Sequence, residues 1–261
     1  MTAPEHVDIL GVPVHAVTMA QTLALIESYV TEPRLHQIAT VNPEFVMTAQ
    51  TDAAFRHILR TADLCLPDGV GLLYAARRMG RRLPERVPGS ELVYHLAELS
   101  AARDWPLFLL GAAPGVAEEA GELLCRRYPG LTVAGTYAGS AAVEENDDIV
   151  RRINDSGAQI LLVAYGAPKQ DKWIGRNRDN LPQARVAIGV GGSLDFITGR
   201  AVRAPQWAQD HGLEWLHRLY KEPWRWRRML ALPRFAIRVL FDRGTDLSEA
   251  AIPARSSRHD N

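Results

Sequence analysis

Short, unbroken apolar runs alternate along this chain with longer stretches of helical periodicity, and most of the apolar runs stop at small, turn-forming residues. Ile160–Ala164 reads as a strand covered on both faces; it stops at Tyr165-Gly166-Ala167-Pro168, with Pro168 near the first turn of a helix. Arg185–Val190 is a second buried strand and runs straight into Gly191-Gly192-Ser193, where backbone N–H groups can approach an anion unobstructed by side chains. Leu35–Val41, Asp63–Pro67, Trp105–Leu110 and Leu131–Tyr137 are further strands. Asp8–Val17 alternates loosely, carries Gly11 and Pro13, and predicts an edge strand. Between them lie helices: Met19–Val30 behind a Thr18 cap, about Ala53–Thr61, one reaching about Arg103, Val116–Tyr128 and Val143–Asn154. At least six strands alternating with helices predict an α/β fold with a Rossmann-like, doubly wound, mainly parallel sheet. The loops after its strands then share one edge, where open α/β sheets bind ligands.

The pattern changes after Ala204-Pro205. Four of the six tryptophans (Trp207, Trp215, Trp224, Trp226) fall within twenty residues and are interleaved with arginine. From Trp226 onward a helix would place Trp226, Met229, Leu230, Ile237, Leu240 and Phe241 on one apolar stripe and Arg227, Arg228, Arg234 and Arg238 off it, with Pro233 on the stripe as a kink or break. Formal net charge is zero, from 30 basic and 30 acidic residues, so a generally basic nucleic-acid binder is not indicated. Between Arg218 and Arg243, however, eight basic residues face two acidic ones, a local charge of +6. Aromatic residues with arginine on an amphipathic helix suit an anionic membrane surface; a helix packed on a partner subunit, in a homo-oligomer, is the other reading. The expected organisation is a catalytic α/β domain over 1–205, a helical appendage over 206–247, and a disordered polar tail over 248–261. Met1–Val17 lacks the order of a signal peptide and no uncharged run is long enough to span a bilayer, so membrane contact is expected to be peripheral. Cys65 and Cys125 are far apart and support neither a disulfide framework nor a zinc site, which makes a cytosolic setting the default.

Several strand ends carry candidate chemistry. Asp68, in Pro67-Asp68-Gly69-Val70-Gly71, is either a helix cap or a general base facing the same cleft as the Gly191-Gly192 turn. Capping alone accounts for Asn42, with Pro43 at the first helical position, but not for Thr40. Arg86, before the Val87-Pro88-Gly89 turn, could pair with a diphosphate or a carboxylate. Gly111-Ala112-Ala113-Pro114-Gly115 is a small-residue turn before a helix N-terminus, an anion-binding arrangement. Neither that turn nor Gly189, Gly191 and Leu194 fits the dinucleotide G-x-G-x-x-G spacing, and no Asp-x-Asp motif occurs.

Taken in order, Thr40-Val41-Asn42-Pro43-Glu44, Pro67-Asp68-Gly69-Val70-Gly71, Glu85-Arg86-Val87, Phe108-Leu109-Leu110-Gly111 with Pro114–Glu118, Ala167-Pro168-Lys169-Gln170, Gly189-Val190-Gly191-Gly192-Ser193 and Arg203-Ala204-Pro205 resemble the WecG/TagA/CpsF glycosyltransferases. Gly212–Leu216, Arg218-Leu219 and Glu222-Pro223 resemble that family's tail. The resemblance implies a bacterial enzyme that moves a sugar, with inversion and without a metal or other cofactor, from a UDP-sugar to a polyprenyl-diphosphate-linked sugar at the cytoplasmic face of the membrane. It implies Asp68 as base, with Thr40, Asn42, Arg86 and Gln170 around the reacting groups. The UDP-sugar is then expected against Gly111, Tyr137, Lys169, Gly191, Gly192 and Asp195, and the acceptor's diphosphate against Arg218, Arg225 and Arg228. The chain departs from the family pattern at Asp171, Leu194, Ser90-Glu91 and Ser140, where Glu, Phe, Thr-Asp and an aromatic are common. A nucleotide-dependent oxidoreductase, or a non-catalytic nucleotide-sugar-binding membrane protein, are the alternative readings of the same strand-and-turn pattern.

Overall fold

The computed structural model describes residues 4–202, 204–205, 216 and 229–241. Six strands, β3 (His36–Val41), β4 (Leu64–Pro67), β5 (Leu107–Gly111), β6 (Val133–Tyr137), β7 (Ile160–Ala164) and β8 (Val186–Gly189), form one sheet in the order β4-β3-β8-β7-β5-β6. Every pairing in it is parallel. The interior strands are buried at every position, which explains why they read as continuous rather than alternating apolar runs.

Helices cover both faces. On one lie α1 (Met19–Val30), α5 (Gly89–Arg103), α6 (Val116–Arg127) and α9 (Ser193–Ile197), packed on Ile38, Leu109, Leu162 and Ile188. On the other lie α2 (Pro43–Ala49), α3 (Ala53–Thr61), α4 (Val70–Arg78), α7 (Asn146–Ser156) and α8 (Lys169–Asn177), over Ala39, Cys65, Leu161 and Ala187. The helices after β5 and β7 thus leave on opposite faces, which opens a crevice at the strands' C-terminal ends.

The segment expected as one edge strand is instead a hairpin outside the main sheet. β1 (His6–Ile9) and β2 (Val12–His15) pair antiparallel around Leu10 and Gly11, both at positive φ (53° and 81°). Both central residues of a two-residue hairpin turn of this hand need positive φ, and Gly11 supplies one at no steric cost. The hairpin guards the open edge of β4: the Cys65 N–H donates to His15 Nδ1 (2.9 Å), a bond that needs a neutral imidazole. Burial, aided by nearby His6, lowers the His15 pKa to about 4. Pro67 ends β4 on this edge strand, where a missing N–H is tolerated.

The described part of the appendage is α10 (Ala231–Phe241). Met229 is helical, Leu230 is a turn and α10 starts afresh at Ala231, so the helical run breaks just ahead of Pro233, as expected, and Pro233 sits in the first turn of the new helix, where its ring is tolerated. Phe235 and Val239 are buried against α2 and α4, and Arg238 Nη1 donates to Gln50 Oε1 (3.1 Å). About 200° round the helix from Phe235, Ile237 is 55% exposed, flanked by Leu240 at 59% and Phe241 at 80%. All three belong to the expected apolar stripe, which therefore faces outward, and the helix docks by a second apolar face that the stripe did not include. No helix among the described residues is long and apolar enough to cross a membrane.

Asp171, on α8, sits wholly buried with neither carboxylate oxygen hydrogen-bonded among the described residues, and burial raises its pKa to about 7. A carboxyl whose folded pKa is raised penalises folding increasingly as pH climbs from the unfolded value toward the folded one, because the unfolded chain ionises first. Asp171→Asn is therefore expected to gain stability over the parent between about pH 4 and pH 7, by up to about 4 kcal/mol, and to hold that gain above pH 7. His15, with its lowered pKa, acts in the opposite direction over much of the same range, so the difference between parent and variant is the quantity to follow. Denaturant melts of both proteins across that range check it, and a pH-independent difference would contradict the assignment.

Candidate active site

The sheet order converts the candidate residues into a line along one edge. Asp68 follows β4, Thr40 is the last residue but one of β3 with Asn42 just beyond the strand, Gly191 and Gly192 follow β8, Lys169 and Gln170 follow β7, Gly111 ends β5 and Tyr137 ends β6. Five strand spacings separate the first from the last, roughly 24 Å, and two separate Asp68 from the Gly-Gly turn, roughly 10 Å.

At the Asp68 end, backbone contacts set the geometry. The Asp68 N–H donates to Val41 C=O (2.7 Å) and Leu66 C=O (3.0 Å), and Val87 N–H donates to Pro67 C=O (2.9 Å), so the segment bearing Arg86 runs beside the Asp68 turn. The first residue of α5, Gly89, donates its N–H to Asp68 Oδ2 (3.3 Å). The N-terminus of α5 is thereby pointed at the carboxylate. Gly69 and Gly71 admit Pro43: a β-carbon on either would lie 3.0 and 2.9 Å from the Pro43 ring, so side chains there would push the Asn42 and Asp68 turns apart. Asn42 Oδ1 caps α2 through Phe45 N–H (3.0 Å), while Asn42 Nδ2 has no partner among the described residues. Arg86 is largely buried and lies 3.8 Å from Glu91, too far for a tight pair.

In the middle of the line, Thr40 and Gln170 hold the Gly-Gly turn. Thr40 Oγ1 donates to Gly189 C=O (3.0 Å), and Gln170 Oε1 accepts from Gly191 N–H (3.0 Å). Gln170 is 1% exposed and its side chain covers Gly189 so closely that a β-carbon there would lie 2.4 Å from Nε2. Gly89 fits against Thr40 in the same way, with 2.9 Å from a β-carbon to Thr40 Cγ2. The Gly191 N–H is thus engaged within the protein, and the Gly192 N–H is the one in that turn without a partner among the described residues. Asp195 lies beside it, within 3.6 Å of a β-carbon at Gly192. Lys169 is exposed at the start of α8.

At the far end, Gly111 (φ 99°) and Ala112 (φ 64°) turn the chain against β7, where a β-carbon on Gly111 would strike Ala164 and Tyr165. Arg152 stacks over Tyr137, 4.6 Å from the ring centroid. The basic and aromatic candidates Arg218, Arg225, Arg228, Trp207, Trp215, Trp224 and Trp226, and Arg203 before Ala204, lie outside the described residues. The sequence reading passed over Gly89 and Gly189 as functional positions; a glycine closing a buried strand or opening a helix beside a carboxylate was the available signal.

Comparison with known proteins decides the family. The profile of the Glycosyl transferase WecG/TagA/CpsF family matches residues 7–248. The chain belongs to the WecG/TagA/CpsF family. It is 34% identical over 203 residues to the N-acetylglucosaminyldiphosphoundecaprenol N-acetyl-beta-D-mannosaminyltransferase of Bacillus subtilis, covering 78% of each chain. To the protein of the same name in Bacillus spizizenii it is 36% identical over the same length. With the Staphylococcus aureus (strain MRSA252) protein, again of that name, identity is 32% over 235 residues, 89% of this chain and 91% of the relative.

Within this WecG/TagA/CpsF chain one departure from the family pattern, Ser90-Glu91, directly follows Gly89 at the Asp68 end, with Glu91 3.8 Å from Arg86. Asp171 and Leu194 are fully buried. Ser140 is held by Glu145, whose carboxylate accepts from its N–H (3.1 Å) and its hydroxyl (2.8 Å), which fixes the loop after β6 near Tyr137.

Proposed function

We propose that this protein is an inverting glycosyltransferase that moves a sugar, N-acetylmannosamine or another hexose, from a UDP-sugar to a polyprenyl-diphosphate-linked sugar in the synthesis of a bacterial cell-surface polysaccharide or teichoic acid. One observation carries the reading: the Asp68 carboxylate, held by Gly89 N–H, stands two strands from a glycine turn that Thr40 and Gln170 hold in place. The names of the relatives supply the acceptor class.

In the proposed reaction Asp68 takes the proton of the acceptor hydroxyl as its oxygen attacks the anomeric carbon. The bond from that carbon to the donor diphosphate breaks on the opposite face and UDP departs. The carboxylate must then come within about 2.6 to 3.2 Å of the hydroxyl. Asn42 Nδ2 is placed to orient a sugar hydroxyl beside it. Negative charge grows on the departing diphosphate, and Gly192 N–H and Arg86 are assigned to meet it, with Lys169 at the rim. Thr40 and Gln170 act through the turn. Gly111, Tyr137 and Asp195 are assigned to the nucleotide. The role of Arg218, Arg225 and Arg228 is to hold the acceptor diphosphate at the membrane surface.

Membrane contact on the cytoplasmic face is the second half of the proposal. The docked helix α10 turns Ile237, Leu240 and Phe241 outward, and burying such side chains in the interface stabilises each by about 1.5 to 3 kcal/mol. The chemistry is tested by following acceptor-dependent UDP release with a chelator present. Release at the rate seen without chelator is expected; its abolition by the chelator would overturn the metal-free mechanism.

A further inference from the structure

The transfer chemistry leaves one strongly charged surface unused, at the C-terminal end of α4. From Gly69 to Pro84 the chain has four arginines and no acidic residue. Arg77, Arg78, Arg81 and Arg82 are all exposed, and none makes an ion pair among the described residues. The backbone that presents them is fixed. Gly80, at φ 71°, closes the helix with its N–H on Arg77 C=O (3.1 Å), and Arg81 N–H donates to Ala76 C=O (2.9 Å). Both bonds define a Schellman cap, so the arginines leave the helix in a set direction.

This cluster lies along the same helix, α4, on which the inner face of α10 docks. Gly71, Tyr74 and Arg78 share one stripe of α4 by their i, i+3, i+7 spacing. Phe235 of α10 lies against the Gly71 end of that stripe, 3.7 Å from where a β-carbon would be. Tyr74, 66% exposed, and Arg78 therefore continue the surface beyond the point where α10 crosses. Apolar side chains of α10 on one side, an exposed tyrosine between, and unpaired arginines beyond form the composition that an anionic bilayer surface binds: apolar groups enter, tyrosine sits at headgroup level, and arginines meet lipid phosphates.

We propose that Tyr74, Arg77, Arg78, Arg81 and Arg82 form a second membrane contact, through which the α/β domain itself docks on anionic phospholipid beside α10. The inference rests on the reading that the acceptor is a membrane lipid. Its consequence is orientation. One helix contact leaves the domain free to rock, whereas two fix its tilt, and α4 starts two residues after Asp68, so the same rigid element joins the docking surface to the proposed base.

Co-flotation of the full-length protein with vesicles of phosphatidylcholine alone and of phosphatidylcholine doped with phosphatidylglycerol tests it. The variant with Arg77, Arg78, Arg81 and Arg82 all changed to Gln is expected to lose affinity for the doped vesicles by about fivefold per arginine, the equivalent of about 1 kcal/mol each. The variant with the same four changed to Lys should bind as the parent does. Should the four-Gln variant fail to fold, Arg78→Gln with Arg82→Gln repeats the test at smaller amplitude. Unchanged binding of the Gln variants, or equal loss in the Gln and Lys variants, would overturn the proposal. Transfer to a short-chain, water-soluble acceptor, measured without vesicles, should stay at the parental rate in every variant. If the parent itself fails to transfer, the proposed reaction falls, whatever the vesicles show.

Discussion

Asp68→Asn is expected to lower kcat by about 10²- to 10⁴-fold, the span that a positioned general base contributes, while UDP binding stays at its parental level. Asparagine keeps the size of the side chain and can still accept from Gly89 N–H, so the bond between the turn and α5 survives. What disappears is the ability to take a proton. Neither Thr40, which spends its hydroxyl proton on Gly189, nor Asn42, an amide, can take that proton in its place. Steady-state turnover with parallel calorimetric titration of UDP separates the two quantities. Turnover near the parental rate would remove Asp68 as base; loss of UDP binding would recast it as a structural residue.

Gly189→Ala is the second large effect, expected to lower kcat/KM by about 10²-fold, comparable to losing one donor to a developing charge, and stability by about 1 to 3 kcal/mol. Its methyl group would sit 2.4 Å from Gln170 Nε2 and 2.9 Å from Cδ. Gln170 is buried and has no room to swing aside, so either its bond to Gly191 N–H breaks or the end of β8 shifts away from Thr40. Each outcome displaces the Gly192 N–H. Adding Gln170→Ala to the variant restores space but not the hydrogen bond, so the double variant should recover stability without recovering turnover. Recovery of both would reduce the Gly189 and Gln170 contact to packing.

Much of the architecture was legible because burial on both faces leaves an unmistakable trace. Ile160–Ala164 appears in the fold with the bounds read from the sequence, and the other five sheet strands differ from theirs by a few residues at their ends. The hairpin was not legible. Alternation through Asp8–Val17 is the same for one strand as for two, and Leu10-Gly11 lacks the Asn-Gly or Asp-Gly pair that announces a tight turn. Along α10 the outward apolar residues followed from periodicity, but the docking face did not, because Phe235 and Val239 reveal their role only once α2 and α4 stand opposite them.

The candidate site divides in the same way. Strand-end positions identified Asp68, Thr40, Gly191 and Gly192 as neighbours on one edge, and the sheet order places them there. Their relations were hidden, since Thr40 and Gly189 are 149 residues apart and meet only through the sheet. Gln170 read as a residue that touches substrate, whereas its carbonyl oxygen is committed to the protein backbone. Gly89 was legible only as part of a turn, because its role is played by an N–H and by the absence of a side chain rather than by a chemical group of its own.

Sugar transfer onto a lipid-linked acceptor is read directly from the mass of that lipid. Full-length protein would be incubated with a polyprenyl-diphosphate-linked N-acetylglucosamine and, in separate reactions, with a panel of UDP-sugars. One donor is expected to raise the lipid mass by a single sugar, and the Asp68→Asn protein to yield almost none of this product. An unchanged lipid with every donor, from protein that binds UDP, would contradict the proposed transfer.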